Sequence, residues 1–279
     1  MSDDNNRVRL LVKDTDFSGW KSVSITAGID RQARDFKLSV TDRWPGSDVA
    51  RRVVPGDKCK VCIGKDLVLT GYVDSTPIIY DKESVTVAVK GRSKTADLVD
   101  CSAVYKPGQW KMRTIKEIAE DLARPFFIDV VAAVDVGERI PDHQLQPGET
   151  VFESIDRLLR LRSLLSTDDA EGNLVLTRAS SDRASTELVV GQNILTGKAA
   201  LDFKQRYSEY TVKGQQPGGG SARSRVEATH MDLTIRRRPL VIIADGQPDL
   251  DTARERANWE AAFRVGKSYQ AVYTVQGWR

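Results

Sequence analysis

The sequence predicts a β-rich α+β fold in more than one domain, and three observations lead there. Apolar and polar residues alternate with period two over residues 7–90 and again from residue 199. Between those stretches the period changes to that of amphipathic helices, residues 100–178 carrying two apolar stripes at helical spacing. With 279 residues the chain is also too long for one small core, so two or three compact domains are expected.

In the first stretch Val8, Leu10 and Val12 alternate with Arg9 and Lys13, and Phe36, Leu38 and Val40 with Lys37, Ser39 and Thr41. Leu67, Val68 and Leu69 lead through Gly71 into Tyr72 and Val73, and Pro77 precedes Ile78, Ile79 and Tyr80. Turn signals separate the runs at Pro45-Gly46, Pro55-Gly56-Asp57, Gly64-Lys65-Asp66 and Asp81-Lys82. About six short strands at this spacing predict a small closed or split β-barrel.

Gly91-Arg92-Ser93-Lys94-Thr95-Ala96-Asp97-Leu98-Val99-Asp100 ends the strands and opens the helical region. Lys94-Thr95 invites comparison with a phosphate-binding loop, whose glycines turn consecutive backbone N–H groups toward the phosphates. Aligned that way, Ser93 and Ala88 stand where both glycines belong, and Val85, Val87 and Val89 mark a half-buried strand instead of a loop. The nucleotide reading fails on spacing.

Thr114 and Glu117 form a capping box ahead of Ile115, Ile118, Ala119 and Leu122. Pro125 ends that helix, and Phe126-Phe127-Ile128-Asp129-Val130 reads as a strand. A second box, Thr150 and Glu153, opens a helix with Val151, Ile155, Leu158, Leu161 and Leu165 on its apolar face. Gly172 turns into a strand from Leu174 to Arg178, and both helical stripes read as core rather than as binding grooves.

From Ala199 the strand signal returns with Phe203, Tyr207, Tyr210 and Val212, then Leu240-Val241-Ile242-Ile243 after a Gly/Ser-rich loop over 215–225. A helix is expected between Asp251 and Val265 with Gly266 as its stop, followed by a strand alternating at Tyr269, Ala271, Tyr273 and Val275. The predicted domains are 1–99, an N-terminal β-barrel; 100–198, an α/β middle domain; and 199–279, a second β domain with one helix.

Composition narrows the function. Hydrophobic residues at 40%, charged residues at 29% and a net charge of +3 give no bulk argument for nucleic acid. No apolar run approaches the roughly 18 residues of a membrane helix, so no membrane insertion by this chain is expected. Met1 to Asn6 is a polar tail without a signal-peptide core, which predicts a protein made and kept in a cytoplasm unless something larger carries it out.

No cofactor, metal or catalytic group is expected. Cys59 and Cys62 have C-x-x-C spacing, but strand alternation sends Cys62 to the face opposite Cys59, Val61 and Ile63. With only Cys101 remaining, buried reduced thiols are the reading. His143 reads as a surface loop residue and His230 as an isolated one before a strand. Asp168, Asp169 and Glu171 lack the glycine and terminal Glu of a calcium loop and read as a solvated turn. One basic cluster stands out: Arg236, Arg237 and Arg238, with Arg223 and Arg225 nearby. It is a candidate contact for an acidic partner or for DNA, or else a solvated strand edge.

Several motifs in order resemble the Mu-type baseplate hub family of contractile phage tails, a late control protein D-like group. They are Gly19-Trp20, Gly91 to Leu98, Pro147 to Ile155, Gly172 to Arg178, Arg256-Ala257-Asn258-Trp259-Glu260 and Val275-Gln276-Gly277-Trp278-Arg279. The resemblance implies two hub-type β-barrel-like domains with an α/β insertion between them. It also implies a homotrimer on a central spike, in contact with the tail tube and other baseplate proteins. DNA would pass through transiently without sequence-specific binding, in a virion tail baseplate assembled in the host bacterial cytoplasm, with no catalysis. Family members continue beyond the Gly-Trp-Arg region, so the second barrel is expected to be incomplete here, the rest lying in a longer product or a partner chain. The alternatives are the hub of a headless tail or secretion spike, and a tail-associated cell-wall hydrolase.

Overall fold

A computed structural model describes residues 6–13, 15–41, 53–80, 82, 85–179, 186–215, 225–244 and 248–277. The Pro45-Gly46 turn signal and most of the Gly/Ser-rich loop fall outside these residues. The chain divides into two compact units, one holding residues 1–156 and 165–177, the other holding 157–164 and 178–277. No helix among the described residues is long and apolar enough to cross a membrane.

The first unit opens with eight strands: β1 (Val8–Val12), β2 (Thr15–Phe17), β3 (Ser22–Thr26), β4 (Asp35–Thr41), β5 (Lys58–Ile63), β6 (Asp66–Ser75), β7 (Ile78–Tyr80) and β8 (Val85–Ser93). They hydrogen-bond in the order β2-β1-β5-β6-β8-β4-β3, with β7 also on β8. Leu10 and Phe17 from one end of this path share a core with Phe36 and Leu38 near the other, and Trp20 and Ile25 pack on it. Residues from both ends meet in one core only if the sheet curls over itself. Curling stops short of closure among the described residues, for β2 and β3 end the path without a ladder between them. The expected barrel is therefore an open, curled sheet: β2 is three residues long, and β3 leaves Ser22, Val23 and Ser24 exposed.

The strands cross most closely where β6 meets β8. There Gly71 pairs with Ser93, Tyr72 with Arg92 and Val73 with Gly91. A Cβ on Gly71 would stand 1.9 Å from the Arg92 carbonyl oxygen, and one on Gly91 2.3 Å from that of Tyr72 and 2.6 Å from the Phe36 ring. Only a residue without a side chain fits at either position.

After the short helix α1 (Ala96–Asp100) come β9 (Gln109–Arg113), α2 (Ile115–Ala123), β10 (Val130–Ala132), β11 (Ile140–Gln144), α3 (Val151–Leu161), β12 (Leu165–Asp168) and β13 (Leu174–Thr177). β9 pairs with β11, and β10-β13-β12 form a small mixed sheet. The Thr114–Glu117 capping box is present, and Thr150 and Glu153 exchange the same pair of bonds at 2.8 and 3.1 Å. Ile115, Ile118, Ala119 and Leu122 are buried, as are Val151, Ile155 and Leu158.

Two boundaries in this segment differ from the sequence reading. Leu165 is the first residue of β12 and not a helix position, because Ser163 at φ 53° turns the chain out of α3. Phe126 ends a 3-10 turn over Arg124–Phe126 instead of starting a strand, Phe127 caps it in the left-handed region at φ 57°, and strand structure starts at Val130.

The second unit contains β14 (Ile194–Leu201), β15 (Glu209–Gln215), β16 (Arg225–Met231), β17 (Pro239–Ile243), α4 (Leu250–Ser268) and β18 (Tyr269–Val275). β15 sits between antiparallel β16 and parallel β17, and β14 pairs with β18. Ala253 and Ala257 bring α4 close to Val212, Val226 and Ala228 in a small core. Asp249 caps α4, its side chain accepting from the Thr252 N–H at 2.7 Å. The helix runs through Gly266 to Ser268, since its hydrogen-bond ladder outweighs the roughly 1 kcal/mol cost of one glycine.

Two substitutions test the packing. Gly71→Ala is expected to cost about 3 kcal/mol or more in denaturant unfolding, because the obstacle is backbone. Gly266→Ala, with nothing within 4 Å of its would-be Cβ, is expected to stabilise by about 0.5–1 kcal/mol.

Candidate functional site

The Gly91–Asp100 segment is a structural joint. Ser93 and Thr95 are buried and their hydroxyls lie 2.8 Å apart, while the Lys94 N–H donates to the Thr70 carbonyl at 3.1 Å. Arg92 donates to Asp74 and Asp100, both at 2.7 Å, which ties β8 to β6 and to α1. The Arg92 guanidinium holds the Asp100 carboxyl below the usual carboxylate range.

Beside this joint the loop before β4 is fastened to β12. The Arg34 backbone N–H and Nε donate to the two Asp168 carboxylate oxygens at 3.1 Å each. Its other two nitrogens donate to the carbonyls of Val68 at 2.7 Å and Asp168 at 3.0 Å. Ser166 donates to Gln32 at 2.6 Å and Thr167 to the Gly28 carbonyl at 3.0 Å. The Asp168 side chain is 1% exposed, so the solvated turn expected there is instead a buried ion pair. Asp169 accepts from the backbone and side chain of Asn173 at 2.8 and 2.9 Å.

On the outer face of β1, β5 and β6 lies a groove of about 490 Å³ lined by Leu11, Lys58, Lys60, Tyr72, Lys94 and Phe127. Strand register builds it. Lys60 stands opposite Leu11 and Thr70, and Lys58 opposite Tyr72. Phe127 rises at its edge, 87% exposed. Sequence reading placed Phe127 in a strand and dismissed Lys94 along with the phosphate loop, so this convergence escaped it.

The arginines of the second unit do not form one cluster. Arg225 begins β16 opposite Gln215, whereas Glu209 at the far end of β15 pairs with Pro239 just after Arg238. Six residues of strand, about 20 Å, separate the two ends. Arg223 lies outside the described residues. Arg236 and Arg237 are exposed. Arg238 is held: it donates to the carbonyls of Phe203 and Lys204 at 3.0 and 2.7 Å and stacks 5.2 Å above the Tyr207 ring. Arg206, unremarked in the sequence, is the buried cation here. It donates to Asp232 at 2.6 Å and lies 4.7 Å from the Phe203 ring centre. A hydrogen bond from Thr234 and the one from Arg206 bring the Asp232 carboxyl down to about 2.

The remaining candidates settle into structural places. His143 is buried within β11 beside Trp110, its Nε2 2.9 Å from the Ser154 hydroxyl, and is not a loop residue. His230 lies inside β16, with Nδ1 2.8 Å from Asn258. A register shift at Val61/Cys62 buries Cys62 as well as Cys59, where simple alternation sent it to the opposite face. Burial pushes the Cys59 thiol up to about 12, leaving it protonated at neutral pH. Among the described residues no three His, Cys, Asp or Glu side chains are grouped to hold a metal ion.

Comparison with known proteins gives the lineage. Over 98% of its length the chain is 39% identical to the baseplate hub protein gp44 of Escherichia phage Mu, covering 75% of that protein. The chain belongs to the Mu-type baseplate hub family. Residues 7–93 match the Mu phage baseplate assembly protein GpP-like N-terminal family, and residues 95–178 the second-domain family of gp44-like baseplate hub proteins. The 43 kDa tail protein of prophage MuSo2 from Shewanella oneidensis is 35% identical with a TM-score of 0.84, across 98% of this chain and 82% of that one. A tail protein from Neisseria meningitidis shares the fold at 22% identity and a TM-score of 0.81, across 97% and 80% of the two chains.

Removing one partner of the buried pair leaves the other charge uncompensated, so Asp168→Ala is expected to cost about 3–5 kcal/mol in equilibrium unfolding. For Asp232 the folded carboxyl titrates below the unfolded value of 3.8, so its stabilisation is present above that pH and is lost as pH falls toward about 2. Between those limits the unchanged protein is expected to lose stability more steeply than Asp232→Asn, as read from acid unfolding curves.

Proposed function

We propose that this chain is the structural hub of a contractile tail baseplate. Three copies close a ring that joins the tail tube above to a central spike below, and DNA passes through the ring without being read. The observation that carries this reading is the 39% identity to the phage Mu hub over 98% of the chain. Head-to-tail contacts whose rotation closes are the physical route to such a ring. Its place is the virion tail baseplate after assembly in the host cytoplasm, and its role is structural, not catalytic.

Within each copy the proposed domains are 1–99, 100–198 and 199–279, with two related hub-type β domains flanking the α/β insertion. The two family matches meet at residues 93–95, which supports a boundary beside Gly91–Asp100. In the third domain the partner contact falls to Arg236 and Arg237, which are exposed, with Arg225 a separate contact at the other end of the sheet. Arg238 serves the fold through its bonds to Phe203 and Lys204.

Sedimentation of the purified chain is expected to give three times the protomer mass, with a further increase on adding the trimeric spike. A protomer mass at all concentrations, unchanged by the spike, overturns the reading. Arg236→Ser with Arg237→Ser is expected to weaken spike or tube binding while stability changes by less than about 0.5 kcal/mol. Arg238→Ser is expected to cost about 1 kcal/mol through its lost hydrogen bonds.

A further inference from the structure

The groove on β1, β5 and β6 has a charge pattern that the packing of the first unit does not use. Lys58 and Lys60 are exposed two residues apart on β5, so they project from one face about 7 Å apart. Lys94 lines the same groove from the end of β8. Lys13 beside them is neutralised by Asp57 at 2.7 Å, whereas Lys58, Lys60 and Lys94 form no ion pair among the described residues. Three uncompensated ammonium groups around one concavity focus a positive field there.

Phe127 adds an apolar element. A non-glycine residue at φ 57° with its ring 87% exposed is costly twice, in backbone strain and in hydrated apolar surface. The chain nevertheless holds the ring at the groove edge, across from Leu11 and Tyr72.

We propose that this groove docks a short, extended, acidic segment of a partner protein that carries one aromatic or large aliphatic side chain. Carboxylates at alternate positions of an extended segment repeat at about 7 Å, matching Lys58 and Lys60. Lys94 takes a further carboxylate, and the apolar side chain packs on Phe127 and Leu11. The extent of the patch decides between this occupant and a nucleic-acid strand. The neighbouring cations are already paired, Lys13 with Asp57, Arg92 with Asp74 and Arg9 with Asp16, so among the described residues lining the groove the unpaired charge is confined to Lys58, Lys60 and Lys94. Three cations match a short acidic segment, whereas a nucleic-acid strand is held by a longer run of phosphate contacts.

The test uses the full chain and three fluorescent probes: a short peptide alternating glutamate with threonine around one phenylalanine, its glutamine counterpart, and an oligothymidylate of equal charge. Anisotropy titrations at low salt are expected to show saturable binding of the acidic peptide, weakened about tenfold by Lys58→Glu with Lys60→Glu. Lys94→Gln is expected to weaken it several-fold should the double variant fold poorly. Phe127→Gly is expected to weaken it several-fold with an equal or higher melting temperature, since glycine suits the backbone there. Absence of saturable binding, equal affinity for the glutamine peptide, or indifference to these substitutions overturns the proposal. Tighter binding of the oligothymidylate overturns it too, in favour of nucleic acid. None of these outcomes depends on whether the chain assembles into a ring.

Discussion

Arg34 holds the first unit together from a loop. Its backbone N–H and three side-chain nitrogens all donate to β6 or β12, and Asp168 receives three of these bonds with its side chain 1% exposed. A carboxylate taken out of water this completely is tolerated only where a cation and further donors surround it. The curled sheet and the α/β segment are fixed to each other here by charge-assisted hydrogen bonds of defined geometry. Ser166–Gln32 and Thr167–Gly28 repeat the attachment along the strand, and Ser93 accepts from the same Arg34 N–H at 3.2 Å. The joint that follows Gly91 is thus braced from both sides, by Arg92 to Asp74 and Asp100 and by Arg34 to Asp168.

Much of the local structure was legible in the chain. Capping boxes at Thr114 and Thr150 located two helices because their signal is contained within four residues. Strand alternation located β1, β4, β8 and β18 for the same reason. What stayed hidden depends on partners far away in sequence. Asp168 looks like any turn acid until Arg34, 134 residues distant, is beside it. His143 looks like loop because Pro141 and Asp142 surround it, yet β11 is set by pairing with β9 and by the Ser154 hydroxyl. Phe127 was read with the apolar run around it, and its left-handed turn shows only in the backbone. The lysine groove was out of reach for a related reason: Lys58, Lys60 and Lys94 become neighbours through sheet register alone.

The hub reading and the groove rest on different kinds of warrant. Membership of the family comes from identity spread along the whole chain, and it speaks to architecture and lineage. Nothing in that similarity requires a strained, exposed phenylalanine or a set of unneutralised lysines. Those are properties of this sequence in this geometry. Charge-guided docking of a short segment adds specificity without a large flat interface.

The separation of Arg34 from Asp168 also sets an order of events during synthesis. By the time β1 to β8 have left the ribosome, Arg34 and the carbonyl of Val68 are available, but the carboxylate that the guanidinium is built around is not yet made. The N-terminal sheet therefore spends the translation of roughly another 75 residues with its key cation still hydrated. Closing a loop of 134 residues late is entropically modest yet kinetically slow, because that contact has to wait for everything between to be made. The pair thus acts as a latch on completeness, engaging only once β12 has been delivered.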